Sequence, residues 1–200
     1  MLMYLVRFVL SPLQGSVIFK NRIITPSNFN FNLLTGEIEF IHSKDTLFFP
    51  SKNEIDLIVV ARDTFYYHNA YLQLIRSGPL NLYLKRSMIV MNILKQGAFG
   101  TVNRSAASES YDFVITKSLS IDLKPVDDMV LQRKDEYFYS TTGSDFNPFT
   151  RKNITRIMPG KEKDIRNFLK TFRVDFESRE DLLRLTDFMN NLQSEHSGKR

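Results

Sequence analysis

The chain has 200 residues, 42% of them hydrophobic and 24% charged, which at about 100–200 residues per domain gives one compact domain and excludes wholesale disorder. No apolar run approaches the roughly 20 residues that span a bilayer, which excludes a membrane-embedded helix. With no cysteine, disulfide scaffolds, thiolate zinc sites and cysteine nucleophiles are excluded together.

The formal charge is +5 and the pI is near 9.4, but the excess is uneven. Residues 1–150 carry 15 basic and 14 acidic side chains, whereas residues 151–200 carry 12 and 8. Seventeen Phe and eight Tyr with no Trp is a heavy aromatic load of the kind that fills sheet faces.

Met1–Leu10 (MLMYLVRFVL) is apolar but interrupted by Arg7, and no small-residue cleavage site follows it. A secretory signal places its charge first and leaves its apolar stretch unbroken. The segment therefore reads as a buried first strand, with a damaged or truncated signal as the alternative.

From Gly15 to about Lys85 the pattern has period 2, as in half-buried strands. Phe29, Phe31 and Leu33 share one face, while Asn28, Asn30 and Asn32 are expected on the wet side. After a turn at Thr35-Gly36, Ile38 and Phe40 point inward and Glu37 and Glu39 outward. Lys44-Asp45 turns the chain into Thr46–Phe49. Ile55–Ala61 is apolar enough for a central strand. Asp63–His68 and Tyr71–Arg76 flank a tight turn at Asn69-Ala70, and Leu80, Leu82 and Leu84 alternate after Ser77-Gly78-Pro79. Asn103–Ser110 reads as an exposed loop, Asp112–Ser118 and Glu136–Thr141 as strands, and Ser140–Pro148 as a second loop and seam.

The last fifty residues change to helical period. Ile165, Phe168, Leu169 and Phe172 recur at i, i+3, i+4 and i+7, one stripe of an amphipathic helix. Ser178 and Asp181 form a capping-box spacing before Leu182, Leu185, Met189 and Leu192. Asn153–Met158 adds a preliminary turn, and residues beyond Ser194 are expected to fray. The fold class is therefore α+β: an antiparallel, strongly curved or barrel-like β-sheet over residues 3–142, capped by two or three C-terminal helices within 151–194. Leu182, Leu185, Phe168 and Phe172 are expected to pack on the sheet, making a single compact unit.

Gln96-Gly97-Ala98-Phe99-Gly100-Thr101-Val102 resembles the glycine-rich loop of protein kinases, with Lys117 where a phosphate-pairing lysine falls. Lys95 replaces the first glycine, however, and no metal-holding Asp or catalytic base follows, so phosphoryl transfer has no machinery. Glu37 and Glu39 at i, i+2, with Asp127, are the carboxylates from which a hydrolase would be built. His42, His68 and His196 show no metal-ligand spacing, and no cofactor is implied. Phe65, Tyr66, Tyr67 and Tyr71, with His68, surround a hairpin and are the ligand-binding candidates, a stacking platform for sugars or bases. Their bland reading is cross-strand packing. Nucleic acid is not expected, because basic residues do not interleave with these rings. Lys161, Lys163, Arg166 and Lys170 are the anion-contact candidates, for a lipid headgroup or acidic polymer. Their bland reading is a solvated helix face.

Asn28–Phe40 (NFNFNLLTGEIEF), Asp45–Phe49, Phe65-Tyr66-Tyr67, Gly97–Val102 and the closing Lys161–Leu192 resemble, in that order, a family of uncharacterised, typically exported β-rich proteins of Bacteroidota with C-terminal helices. The resemblance spans most of residues 15–192 and implies a cell-envelope or periplasmic location; it assigns no catalytic residue. The chain departs from the family at its start, where no clear signal peptide is seen. The function expected is a non-enzymatic binding or structural module of the envelope. The alternatives are a carrier of a small apolar ligand or lipid in a curved-sheet cavity, and the hydrolase above.

Overall fold

The computed structural model describes residues 12–33, 35–42, 45–96, 102–106 and 128–197. Eleven strands form one sheet: β1 Leu13–Phe19, β2 Ile24–Asn32, β3 Glu37–His42, β4 Asp45–Phe48, β5 Ile55–Val60, β6 Asp63–Tyr67, β7 Tyr71–Arg76, β8 Asn81–Gln96, β9 Val102–Ala106, β10 Asp128–Ser140 and β11 Asn147–Pro148. Three helices follow: α1 Arg151–Ile154, α2 Glu162–Thr171 and α3 Arg179–Ser197. The strand order is β11-β10-β8-β7-β6-β5-β1-β2-β3-β4, with β9 paired to β8 off this path. The architecture is α+β, and the series is open, ending at β11 and β4. Among the described residues no helix is long and apolar enough to cross a membrane.

The expected strand at Asp112–Ser118, the glycine string Gly97–Thr101, Asp127 and Met1–Leu10 lie outside the described residues. Asn103–Ser110 is not simply a loop. Val102–Ala106 pairs with Asn92–Gln96 across an antiparallel ladder, so a small, polar segment becomes a strand because β8 runs on far enough to supply a partner.

The described residues fall into two compact units. One gathers residues of Phe29–Phe49 and Arg86–Lys134. Phe29, Phe31, Leu33, Ile38 and Phe49 are its buried apolar side chains, and Phe49 lies 6.2 Å from the Phe29 ring and 4.9 Å from that of Phe40. Two polar residues expected on the wet side are also buried here: Asn30 is 2% and Glu39 4% exposed. Asn30 Oδ1 accepts from the Phe31 amide at 2.9 Å, and Asn32 Nδ2 donates to Glu39 Oε1 at 2.9 Å. These bonds satisfy Asn30 Oδ1 and Glu39 Oε1, whereas Asn30 Nδ2 is buried with no hydrogen-bond partner among the described residues, and an unpaired polar group in the interior costs about 1–3 kcal/mol. Asn28 is exposed as alternation expects, and Asn30 and Glu39 are the members of the polar face that the structure buries.

The other unit gathers Gln14–Asn28, Pro50–Lys85 and Asp135–Arg200 and holds the helices. Its core joins Leu80, Leu82 and Leu84 from the sheet to Ile154, Ile165, Leu169, Leu182, Leu185 and Met189 from the helices. At about 1.5–3 kcal/mol per large side chain buried, this seam makes the helices integral to the unit. Thr186 sits inside it with its hydroxyl satisfied by the Leu182 carbonyl at 2.8 Å. Phe172 does not join as expected: it is 53% exposed, because α2 ends at Thr171 and the chain turns away. At the other end of α3 the helix runs through Ser197 rather than fraying at Ser194.

The N-terminus of α3 departs in one detail from the expected capping box. Ser178 Oγ accepts from the Asp181 amide at 3.3 Å, but Asp181 reaches past Ser178 to the Asp175 amide at 2.9 Å. It also pairs with Arg184. The Asp175 amide, then Arg184, hold the Asp181 carboxyl below its usual 3.8.

A second clamp lies further along α3. Asn190 Oδ1 accepts from the Leu80 amide at 2.7 Å, and Asn190 Nδ2 donates to the Leu80 carbonyl at 3.1 Å. One side-chain amide thus satisfies both backbone groups of a buried residue. It fits because residue 78 is glycine: a Cβ there would sit 2.5 Å from Asn190 Nδ2.

Two outcomes check these anchors. Gly78→Ala and Asn190→Ala each destabilise by about 1–3 kcal/mol, one by collision and the other by orphaning the Leu80 groups. Because both act on one contact, the double variant loses less than the two losses added; additive losses in denaturant melts would refute the clamp. The lowered Asp181 favours folding above its unfolded value, and that contribution is lost as pH falls through 3.8 toward the folded value. Melting temperature in Asp181→Asn should therefore depend less on pH in that range than in the parent.

Candidate functional site

The antiparallel register decides which rings of the hairpin meet. Phe65 pairs with Gln73, Tyr66 with Leu72 and Tyr67 with Tyr71, and cross-strand partners share a face. Phe65, Tyr67 and Tyr71 therefore lie on one face and Tyr66 on the other. The four candidates do not form one platform.

On the first face Phe65 and Tyr71 are buried, and Tyr67 and Tyr71 meet edge-on at 5.1 Å. The Lys52 ammonium lies 5.4 Å from the centroid of Tyr67 and 5.9 Å from that of Tyr71, a cation–π arrangement that engages this side. Gln73 Nε2 donates to Asp63 Oδ1 at 2.8 Å beside them. Packing accounts for these rings.

The second face carries an aromatic cluster. Tyr66 meets Tyr83 of β8 edge-on at 5.5 Å, and Phe146 lies 4.9 Å from Tyr83, 6.1 Å from Tyr66 and 5.3 Å from His68. Tyr83 forms the floor, 1% exposed. Tyr66 and Phe146 are half-buried above it, and His68 is exposed at the rim. Lys85, two residues beyond Tyr83, forms an ion pair with Glu136 at 2.9 Å.

Phe146 reaches this position on a short loop built by one hydroxyl. Ser140 is fully buried, and its Oγ accepts from the Gly143 amide at 2.8 Å and the Thr142 amide at 3.3 Å. Gly143 has φ of +81°, a conformation glycine adopts without steric cost. Asn147 and Pro148 then return the chain to β10 opposite Tyr139 and Phe138. Phe146 and Tyr83 were not foreseen as site residues. Phe146 lies in Ser140–Pro148, whose sequence reads as a loop and seam, and Tyr83 falls between the alternating Leu82 and Leu84.

The phenols here stay protonated. Burial, then the neighbouring Tyr66, pushes Tyr83 up to about 12, against a smaller opposing hydrogen bond from Asn81. Burial, then Asp56, raises Tyr66; Tyr139, packed beside Phe149 against the helix core, is raised by burial, then Asp145. A protonated phenol is both hydrogen-bond donor and acceptor. The cluster can therefore offer ring faces for stacking, with an imidazole and a phenol at the edge.

The other candidates lie elsewhere. Lys163, Arg166 and Lys170 are exposed on α2, at i, i+3 and i+7, and half-buried Lys161 precedes its first turn. Glu39 is buried against Asn32, and Glu37 is half-buried two residues before it on β3. The expected outward carboxylate pair is thus replaced by a pair with one member in the core.

Alkaline titration reads the cluster directly. A tyrosine whose folded pKa is raised favours folding fully below its unfolded value of 10.0, and that stability is lost as pH rises toward about 12. Ultraviolet titration should show Tyr83 ionising last, accompanied by unfolding, and Ser140→Ala should bring this step to lower pH. Ionisation of all eight tyrosines in one step near the ordinary value would refute the packed cluster.

The chain matches no protein-family model, no curated protein and no solved structure.

Proposed function

We propose that this protein is a non-enzymatic binding module of the cell envelope, and that the face carrying Tyr66, His68 and Phe146 is its contact surface for a sugar ring. The observation that carries the reading is the arrangement of those rings: Phe146 lies within 4.9–6.1 Å of three others, part-exposed over a buried Tyr83 floor. Rings fixed by strand pairing and a Ser140-built loop lose little freedom on binding, which favours stacking against the apolar face of a pyranose. Protonated phenols and the rim imidazole then match sugar hydroxyls. The envelope location is supported by the resemblance of the strand, hairpin and helix segments to exported Bacteroidota proteins.

The test is a titration with mixed oligosaccharides and cell-wall fragments, followed by intrinsic tyrosine fluorescence, which no tryptophan obscures. Saturable binding is expected, weakened roughly tenfold by Phe146→Ala or Tyr66→Ala, about 1–3 kcal/mol per stacked ring. Saturable binding that both variants retain in full would refute this surface. Native mass spectrometry of freshly purified protein separates the carrier alternative, for which a reproducible bound apolar mass is required.

A further inference from the structure

The net positive charge of this chain comes from one segment. Arg151–Arg173 holds eight of the 27 basic residues and two of the 22 acidic ones, which leaves 19 basic against 20 acidic in all the rest. Seven of the eight cations are exposed. Arg151 lies over the Phe176 ring at 5.7 Å; among the described residues none of the eight is in an ion pair. A solvated helix face would intersperse charges of both signs, and after Asp164 this helix carries only positive ones.

An apolar ring stands at the end of the same segment. Lys170, Thr171, Phe172 and Arg173 are four consecutive exposed residues, with Phe172 53% exposed. Its ring lies 4.5 Å from that of Phe168, which stacks on Phe188 of α3 at 4.3 Å. The exposed ring is thus the outer member of a row of three and is held in place from behind.

The turn that presents it is unusual in its residue. The Val174 amide bonds to the Leu169 carbonyl at 3.4 Å, and both side chains are in the core, the pattern of a Schellman motif. Its left-handed position normally belongs to glycine. Here it is Arg173, at φ of +46°, so a cation occupies a backbone conformation that would favour its absence.

We propose that the C-terminal end of α2 docks on an anionic lipid bilayer, with Phe172 entering the interface and Lys170 and Arg173, exposed on either side of it, meeting the phosphates of the headgroups, while the other cations of Arg151–Arg173 add long-range attraction. Opposite charge selects the partner class, and the exposed ring selects a bilayer over a soluble polymer. Cations alone would satisfy a polymer, whereas an apolar side chain between Lys170 and Arg173 gains only where there is an acyl boundary to enter. The proposal does not rest on the aromatic face of β6 and β8.

The full chain is tested by co-sedimentation with vesicles of phosphatidylcholine, alone or mixed with phosphatidylglycerol. Binding is expected only to the mixed vesicles and is expected to weaken as salt rises. Lys170→Gln and Arg173→Gln should each cost roughly fivefold in partition, and Phe172→Ala roughly tenfold. Phe172→Trp gives a chain with one tryptophan, whose emission should shift to the blue on the mixed vesicles. Arg173→Gly separates binding from folding: its melting temperature should rise while its partition falls. Tyr66→Ala should leave vesicle binding unchanged, so failure of the sugar surface and failure of this one are distinguishable. Equal binding to neutral vesicles, an unshifted tryptophan, or unchanged partition of Lys170→Gln/Arg173→Gln would each overturn the proposal. So would polyphosphate binding that needs Phe172 as much as vesicle binding does.

Discussion

The seam between β8 and the helices sets what the helix-bearing unit can do. Leu80, Leu82 and Leu84 project from one side of the strand onto Leu182, Leu185, Met189, Ile165 and Leu169, and Asn190 secures the strand's entry by taking both backbone groups of Leu80. Because side chains of a strand alternate between faces, committing the even-numbered leucines to the helices sends Tyr83 and Lys85 to the opposite side. The aromatic floor is thus a geometric consequence of the hydrophobic seam. A one-residue slip would exchange the two sets and remove both.

The same seam sorts the helical residues. With Ile165 and Leu169 buried, Lys163, Arg166 and Lys170 have only the outer arc of α2 to occupy, and the charge gathers there with no ion-pair partner among the described residues. Burial and recognition are therefore two readings of one helical pattern. The inner stripe stabilises the unit, and the outer stripe, free of that duty, is where charge can concentrate.

Much of this was legible in the sequence, for physical reasons that differ by element. Phe29, Phe31 and Ile38 announced strands because their spacing matches the pleat, and Ile165, Leu169, Leu182, Leu185 and Met189 announced helices because theirs matches a 3.6-residue turn. Asn30 and Glu39 were misplaced because periodicity distinguishes faces without saying which face meets water. The hydrogen bonds local to β2 and β3 offset part of the cost of burying them, one oxygen on each. Phe172 was misplaced because the stripe was extended through a turn that left-handed Arg173 diverts. Phe146 could not be anticipated: its position depends on Ser140 Oγ collecting two amides, a loop geometry with no periodic signature. β9 was hidden for a similar reason, since its strand character comes from the length of β8 and not from its own small polar residues.

The described strand path ends at β11 and β4, where another chain could add itself, the usual first step toward runaway assembly. Both are poor templates. β11 is only two residues long and ends in Pro148, whose nitrogen has no proton to donate. β4 is four residues long and begins with the exposed carboxylate of Asp45. The exposed apolar face a foreign strand would meet there is one side chain, Leu47. At both ends of the described path, the short strands, the missing amide proton and the carboxylate thus work against sideways growth into a fibril.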